Sequence, residues 1–321
     1  MIVVTGAAGF IGSCLVSQLN NLGHRDLILV DEFTDPSKMV NLEGKQFREM
    51  IPRDTFFTWA ATHGQDLSAI FHIGARTDTA EQDWDLFLQL NVAYSQQMWT
   101  LATAHQIPLL YASSAATYGD GSLGFSDDPA LIPSLSPLNP YGHSKQVMDQ
   151  WVLKQSATPP KWVGLKFFNV YGPNEYHKGR MASVIFHAFP QVRDNGLLRL
   201  FRSHRSDYSD GGQLRDFIYV RDVVEVMTYW LENTIESGIY NLGTGQARTF
   251  LDLAAPVFDA LGKPLQIDFI DIPQDIREAY QYYTEANMSR FYAAGFIHSF
   301  RRVEVGTEEY VREYLITNRF F

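Results

Sequence analysis

With 321 residues, 45% of them hydrophobic and 19% charged, the chain has an ordinary globular composition and the length for a large core, either one big α/β domain or a nucleotide-binding domain with a smaller partner. A formal net charge of −10 argues against a nucleic-acid binder, which carries a basic face, but leaves room for an anionic small ligand held by a few local cations. Cys14 is the only cysteine, which excludes an intrachain disulfide and fits a reducing compartment; no apolar run reaches the ~18 residues of a membrane span, and the opening residues lack a secretory-leader pattern, so a cytoplasmic enzyme is expected.

The first half alternates short apolar runs with longer amphipathic stretches. "MIVVTG" reads as a buried strand and "FIGSCLVSQLNNLG" as a helix ending at Gly23. "DLILVD" is the next strand, ending at Asp31. "LSAIFHIGA" is another, followed by a helix around "DLFLQLNVAYSQQMWTLATAHQ". "IPLLYASSAATYG" is a strand running into a loop, "NPYGHSKQVMDQWVLKQ" opens with turn residues and continues as a helix, and "KWVGLKFFNVYGP" is one more strand. This βαβα order predicts a doubly wound parallel sheet of the Rossmann type, with ligands at the carboxyl ends of its strands. After Pro173 the alternation becomes irregular. "RSHRSDYSDGGQLRD" reads as an exposed loop, "DFIYVRDVVEVMTYWLEN" and "GIYNLGTG" resume the strand–helix–strand pattern, and the tail from Gln246 mixes helices with one apolar run, "LQIDFID". No internal repeat or linker stands out. The expected organisation is a dinucleotide-binding domain of residues 1–170 plus 214–243, with a smaller, discontinuous α/β substrate-binding domain of 171–213 plus 244–321.

"TGAAGFIG" places Gly6, Gly9 and Gly12 at G-x-x-G-x-x-G spacing between the first strand and helix. Such spacing allows a tight turn, close approach of backbone to a pyrophosphate, and close packing of helix on strand. The helix N-terminus adds unpaired N–H groups and positive potential. Asp31 ends the second strand, where an acidic residue bonds the adenosine ribose and favours NAD. Lys38 and Arg53 follow and are able to neutralise a 2′-phosphate, which favours NADP.

"YASSAATYG" and "YGHSK" carry the chemistry. Tyr141 and Lys145 are four apart, so one helix face presents both. A tyrosine is a poor base at its reference pKa of ~10, and an adjacent ammonium favours the phenolate. Bringing it to pH ~7 takes about 3 units, or roughly 4 kcal/mol. Lys145, a positive nicotinamide and a serine hydroxyl can share that work. Ser114 is the natural hydroxyl and Ser113 the register alternative.

The glycine motif, Ser…Tyr-x-x-x-Lys and "YNLGTG" resemble the extended short-chain dehydrogenase/reductase superfamily, and the likeness covers essentially the whole chain. "FFNVYGPNEYHKGRMASVIFH" and "RDFIYVRDV" narrow it to the NAD(P)-dependent epimerases that act on an ADP-linked heptose. The resemblance implies inversion at C6″ of the sugar, a step of lipopolysaccharide inner-core biosynthesis, by way of a transient ketone, with tightly held NADP (alternatively NAD). It implies two acid/base groups, Tyr141 and Lys178. Phe10, Ile11, Asp31, Glu32, Lys38, Arg53, the stretch Ile73, Gly74, Ala75, Arg76 and Thr77, then Asn91, Tyr141, Lys145, Val170 and Lys178, match cofactor positions. Ser114, Asn169, Arg180, His187, Phe201, Arg215 and Tyr280 match substrate positions; the partner is a small sugar nucleotide, and a homo-oligomer, pentamer or decamer, is implied. Arg180 stands where the family pattern has a small serine, and the loop 202–214 is longer than that pattern. Another sugar-nucleotide epimerase, reductase or dehydratase is the alternative within enzymes. Ala115 and Ala116 weaken the dehydratase, which carries Asp-Glu there. A non-catalytic dinucleotide-binding scaffold would have no need of both Tyr141 and Lys145.

Overall fold

The computed structural model describes residues 1–277 and 280–321. Twelve strands are present among them: β1 (Ile2–Thr5), β2 (Leu27–Asp31), β3 (Glu49–Pro52), β4 (Ala69–His72), β5 (Leu109–Ser114), β6 (Trp162–Phe167), β7 (Asn169–Tyr171), β8 (Leu198–Phe201), β9 (Leu214–Tyr219), β10 (Gly238–Leu242), β11 (Ala247–Thr249) and β12 (Ile267–Ile270). Seven form one parallel sheet in the order β10-β6-β5-β4-β1-β2-β3. The order reverses between β1 and β4, and the crevice there opens at the carboxyl ends of both strands.

Helices cover both faces of this sheet, which explains why its central strands read as continuous apolar runs rather than alternating ones. Val4, Leu29, Phe71 and Leu110 pack into one core, with residues from helices Phe10–Asn21 and Val220–Glu232. Val3, Ile28, Ile70 and Leu109 face the other way, into a second core with Phe56, Trp99 and Met148. The two-residue period of a strand divides each run between the cores.

The rest of the chain makes a three-stranded sheet, β11-β9-β7, and a parallel pair, β12-β8. The structure departs from the sequence reading in four places. "KWVGLKFFNVYGP" is two strands, because β6 stays in the large sheet while β7, after Phe168, pairs with β9 in the small one. β9, expected to resume the large sheet, therefore lies in the small sheet, and only β10 returns. β3 was invisible as an apolar run because it is an edge strand with Ile51 alone buried. The long helix after β4 is also interrupted by a wider π turn, Leu88–Ala93, which contains Asn91. No helix among the described residues is long and apolar enough to cross a membrane.

Candidate active site

A cleft of about 600 Å³ opens at the switch between β1 and β4. Its floor is the glycine turn. Gly6 adopts φ +65°, and a Cβ there would lie 2.7 Å from Gly74 Cα. A Cβ on Gly12 would overlap the carbonyl oxygen of Gly6. Both positions therefore require glycine, and the backbone between them is bare toward the cleft. Gly9 caps the helix Phe10–Asn21 in extended conformation, and among the described residues no side chain caps the free N–H groups of its first turn.

Around this floor the structure gathers Gly6, Gly9, Phe10, Ile11, Gly12, Asp31, Glu32, Lys38, Arg53, the run Ile73 to Thr77, and Lys178. Asp31 Oδ2 accepts from Ala8 N at 3.0 Å and Oδ1 from Glu32 N at 2.8 Å. The carboxylate thus ties β2 to the glycine turn and keeps further lone pairs for a ribose hydroxyl. Arg53 pairs with Asp54 at 3.3 Å and Glu32 at 3.8 Å. Asn91 does not line the cleft. It lies behind, accepting from Arg76 N at 2.8 Å and donating to Arg76 O and to Ser144 Oγ, both at 2.9 Å, so it shapes the loop after β4.

Ser114, Tyr141 and Lys145 form a second group outside the lining of that cleft. Asn139 caps the helix Pro140–Val152, accepting from Gly142 N, and Pro140 sits at its first position, which suits a residue without an N–H. Ser114 ends β5 with its Oγ accepting from Ala116 N at 3.1 Å, and its hydroxyl lies beside the Tyr141 phenol. Lys145 is buried and donates to Ala112 O at 2.7 Å. Burial lowers its pKa to about 8, with Asp149 opposing. The expected lowering of the tyrosine is not present in this state. Burial raises the Tyr141 pKa, Ser114 pulls it down and Asp149 raises it further. The Lys145 ammonium donates to a β5 carbonyl, and among the described residues no hydrogen bond joins it to the phenol.

Behind this group lies a buried network that the sequence reading missed. Asp149, one turn beyond Lys145, accepts from Lys166 Nζ at 2.6 Å, Ser113 Oγ at 2.7 Å and Tyr111 OH at 3.0 Å. Lys166 also donates to Thr117 Oγ1 at 2.7 Å. Both charged side chains are fully buried. A lysine inside the apolar strand "VGLKFF" was the available signal, since a buried lysine needs a partner.

Lys178 stands in a short 3-10 segment, Tyr176–Met181, kinked at Gly179, with Nζ 5.5 Å from the centre of the Phe10 ring. Burial lowers its pKa, while Glu175 raises it. Glu175, fully buried, closes the base of the loop by accepting from Ser183 N and Ser183 Oγ, both at 2.6 Å. Arg180 is exposed and pairs with Asp78 at 3.2 Å, across from Arg76 at 3.7 Å from the same carboxylate.

The substrate candidates divide. Phe201, Arg215 and Tyr280 come together: Arg215 is buried, 5.4 Å from the Tyr280 ring and 5.9 Å from that of Phe250, and Phe201 meets Tyr280 edge-on at 6.1 Å. Asn169 and Val170 lie on β7, away from the cleft lining, with Asn169 Oδ1 accepting from Thr284 Oγ1 at 3.4 Å. His187 is exposed on the helix Val184–Asn195 rather than buried. Thr5, His72, Tyr94, His177 and Met181 line the cleft without having been singled out. His72 Nδ1 is 2.7 Å from Thr5 Oγ1 and Nε2 is 2.8 Å from Ser95 Oγ, and burial holds its pKa down to about 3.

A parallel sheet with a glycine turn at its switch point, and a serine, tyrosine and lysine at the next strand end, define a nicotinamide-dinucleotide enzyme of the short-chain dehydrogenase/reductase type. The chain belongs to the NAD dependent epimerase/dehydratase family, whose model matches residues 2–243. It is 43% identical to the ADP-L-glycero-D-manno-heptose-6-epimerase of Fusobacterium nucleatum over 98% of both chains, and 47% identical to that of Nitratidesulfovibrio vulgaris strain DP4, again over 98% of each. Among solved structures it resembles the Helicobacter pylori ADP-L-glycero-D-manno-heptose-6-epimerase, with TM-score 0.77 and 26% identity over 97% of this chain and 95% of that one.

Proposed function

We propose that the protein inverts C6″ of ADP-D-glycero-β-D-manno-heptose to give the L-glycero epimer. The observation that carries this reading is the end-to-end likeness to epimerases of that name, at 43% and 47% identity. C6″ has no neighbouring carbonyl, so its proton is not acidic and simple deprotonation fails. A bound nicotinamide dinucleotide would supply reversible hydride transfer at C6″, so that inversion proceeds by way of a transient ketone. Tyr141 and Lys178 take and return the hydroxyl proton, one for each orientation of the sugar. Ser114 orients the oxygen beside Tyr141, and Lys145 steadies the helix face next to it. Phe201, Arg215 and Tyr280 hold the nucleotide end, with Asn169, Arg180 and His187 as further sugar-nucleotide contacts.

The residues of the cleft fit a dinucleotide: the bare glycine floor suits a pyrophosphate, and Asp31 suits a ribose. We assign it as NADP. Lys38 and Arg53 together outweigh Asp31 beside a phosphate of about −1.5 to −2 charge. The cofactor half is residues 1–170 plus 214–243, to which β9 contributes from the small sheet, and the substrate half is 171–213 plus 244–321. A cytoplasmic homo-oligomer accompanies this reading, with no nucleic-acid or membrane partner; sedimentation velocity showing only a 36.5 kDa monomer would count against it.

The test is to incubate purified protein with ADP-D-glycero-D-manno-heptose, without added cofactor, and follow C6″ by proton NMR. Interconversion of epimers is expected. Net ketone, or a need for stoichiometric NAD(P)H, would replace the epimerase with a dehydrogenase or reductase. Mass spectrometry of the dinucleotide released on denaturation should find NADP; NAD alone would overturn that assignment.

A further inference from the structure

His177 precedes Lys178 but faces a different set of residues. Its ring lines the cleft, with Nδ1 3.3 Å from Asn41 Nδ2. The same amide nitrogen donates to Ala8 O at 2.9 Å and Asn174 O at 3.2 Å. Turning the amide over would set its oxygen against two carbonyl oxygens, so the nitrogen belongs on that side. A protonated Nδ1 would face this NH2 group N–H to N–H, so Nδ1 is the bare nitrogen, sharing at most one of the amide's two hydrogens, and the proton of the neutral imidazole sits on Nε2. Among the described residues nothing accepts from Nε2.

The charged groups that face the ring are Lys38 and Asp35 from the short helix Pro36–Met39 and its cap, Asp31 from β2, and Lys178 from its own loop. Burial and the two lysines lower the imidazole pKa to about 4, so the ring is neutral near pH 7. Asn41 links it to Ala8, whose N–H binds Asp31 at 3.0 Å. His177 thus stands at the corner where the glycine turn meets the end of β2, the corner that receives the adenosine ribose in this fold.

We propose that His177 determines dinucleotide choice: its Nε2–H donates to a phosphate on the 2′-oxygen of the adenosine ribose, beside Lys38. The proposal rests on the NADP reading above. A phosphate oxygen is a far better acceptor than the ribose hydroxyl it replaces, so a neutral donor discriminates between them by a charge-assisted hydrogen bond. Lys38 and Arg53 attract any anion there, whereas His177 adds direction.

The test is equilibrium binding of NADP and NAD to the whole protein freed of dinucleotide, by calorimetry, for wild type, His177→Ala, His177→Gln and Lys38→Ala. His177→Ala should weaken NADP about tenfold or more and NAD less than about twofold, as the loss of a hydrogen bond to a charged group requires. His177→Gln, which keeps an N–H donor, should stay within about threefold of wild type. Raising salt should shrink the Lys38→Ala loss more than the His177→Ala loss, because only the first is an attraction between two net charges. Equal weakening of both dinucleotides, or of neither, overturns the proposal. Wild-type protein that binds NAD as tightly as NADP overturns the NADP reading instead. Adenosine 2′,5′-bisphosphate against 5′-AMP then still tests His177, and a binding ratio unchanged in His177→Ala overturns its role as well.

Discussion

Tyr141 and Lys145 stand on a helix whose inner side is fixed to the sheet by a fully buried ion pair, Asp149 with Lys166 at 2.6 Å, whereas Lys178 stands on a loop closed by hydrogen bonds from Glu175 to Ser183. The first anchorage lies between two packed layers, and each charge would be left buried without its partner. The second is buried too, but it holds only Tyr176 to Ala182, a segment without long-range sheet pairing. One proposed acid/base group thus stands on the main sheet's own helix, and the other on a short surface segment that is expected to open more readily than the sheet. The proposed reaction, in which a ketone turns over between two faces, would draw on that contrast, with the sheet-anchored helix as the fixed side.

The contrast breaks most visibly at Asp149. Asp149→Asn keeps the volume but leaves the Lys166 ammonium without a countercharge. Removing one partner of a buried pair costs about 3–5 kcal/mol. Calorimetry should show the midpoint falling by roughly 5–10 °C, with the whole domain unfolding together. A shift under about 2 °C would mean that the pair is no anchor.

Glu175→Ala should act locally. It leaves Ser183 N and Oγ without their acceptor, at a cost of about 1–3 kcal/mol per unsatisfied group. Trypsin should then cut after Lys178 or Arg180 about tenfold faster or more, since each 1.4 kcal/mol of local opening is a factor of ten. The global midpoint should move less than in Asp149→Asn. Equal shifts in both variants would erase the distinction between the two regions.

The smallest effect near neutral pH comes from His72, whose contribution shows only on acidification. His72 has a folded pKa depressed to about 3 from 6.5, so the unfolded chain binds a proton that the folded chain refuses. Stability from this group is full above pH 6.5 and is lost as pH falls from there towards 3, at up to ~1.4 kcal/mol per pH unit. His72→Gln, with donor and acceptor for Thr5 and Ser95, should flatten the denaturation profile by up to one proton in that window. An unchanged slope would place the acid-labile groups elsewhere.

The sheet region was the more legible in sequence because its signals are local. Gly6, Gly9 and Gly12 sit between a strand and a helix, and Asp31 ends a strand; their spacing alone brings them together at the cleft. Tyr141 and Lys145 share a helix face, yet the use of that face was hidden. Lys145 turns to the Ala112 carbonyl, and the charge that faces it comes from Asp149. The small sheet was less legible, since the paired residues of β7 and β9 are 48 apart in the chain, β7 follows β6 with a single residue between them, and β8 is four residues long. His177 offered no sequence pattern of its own. Its place follows from Asn41, which is 136 residues distant in the chain.

The most direct measurement is the rate of C6″ interconversion, followed by proton NMR, in Lys178→Met beside Tyr141→Phe. With two groups serving the two orientations, each variant should lose at least ~10²-fold, the lower range of a general acid–base contribution. The double variant should lose less than the product of the two, because one blocked half-reaction already stops turnover. Dinucleotide content should stay near wild type in both. Lys178→Met within about threefold of the wild-type rate would contradict this, leaving Lys178 a binding residue and Tyr141 to serve both faces of the ketone.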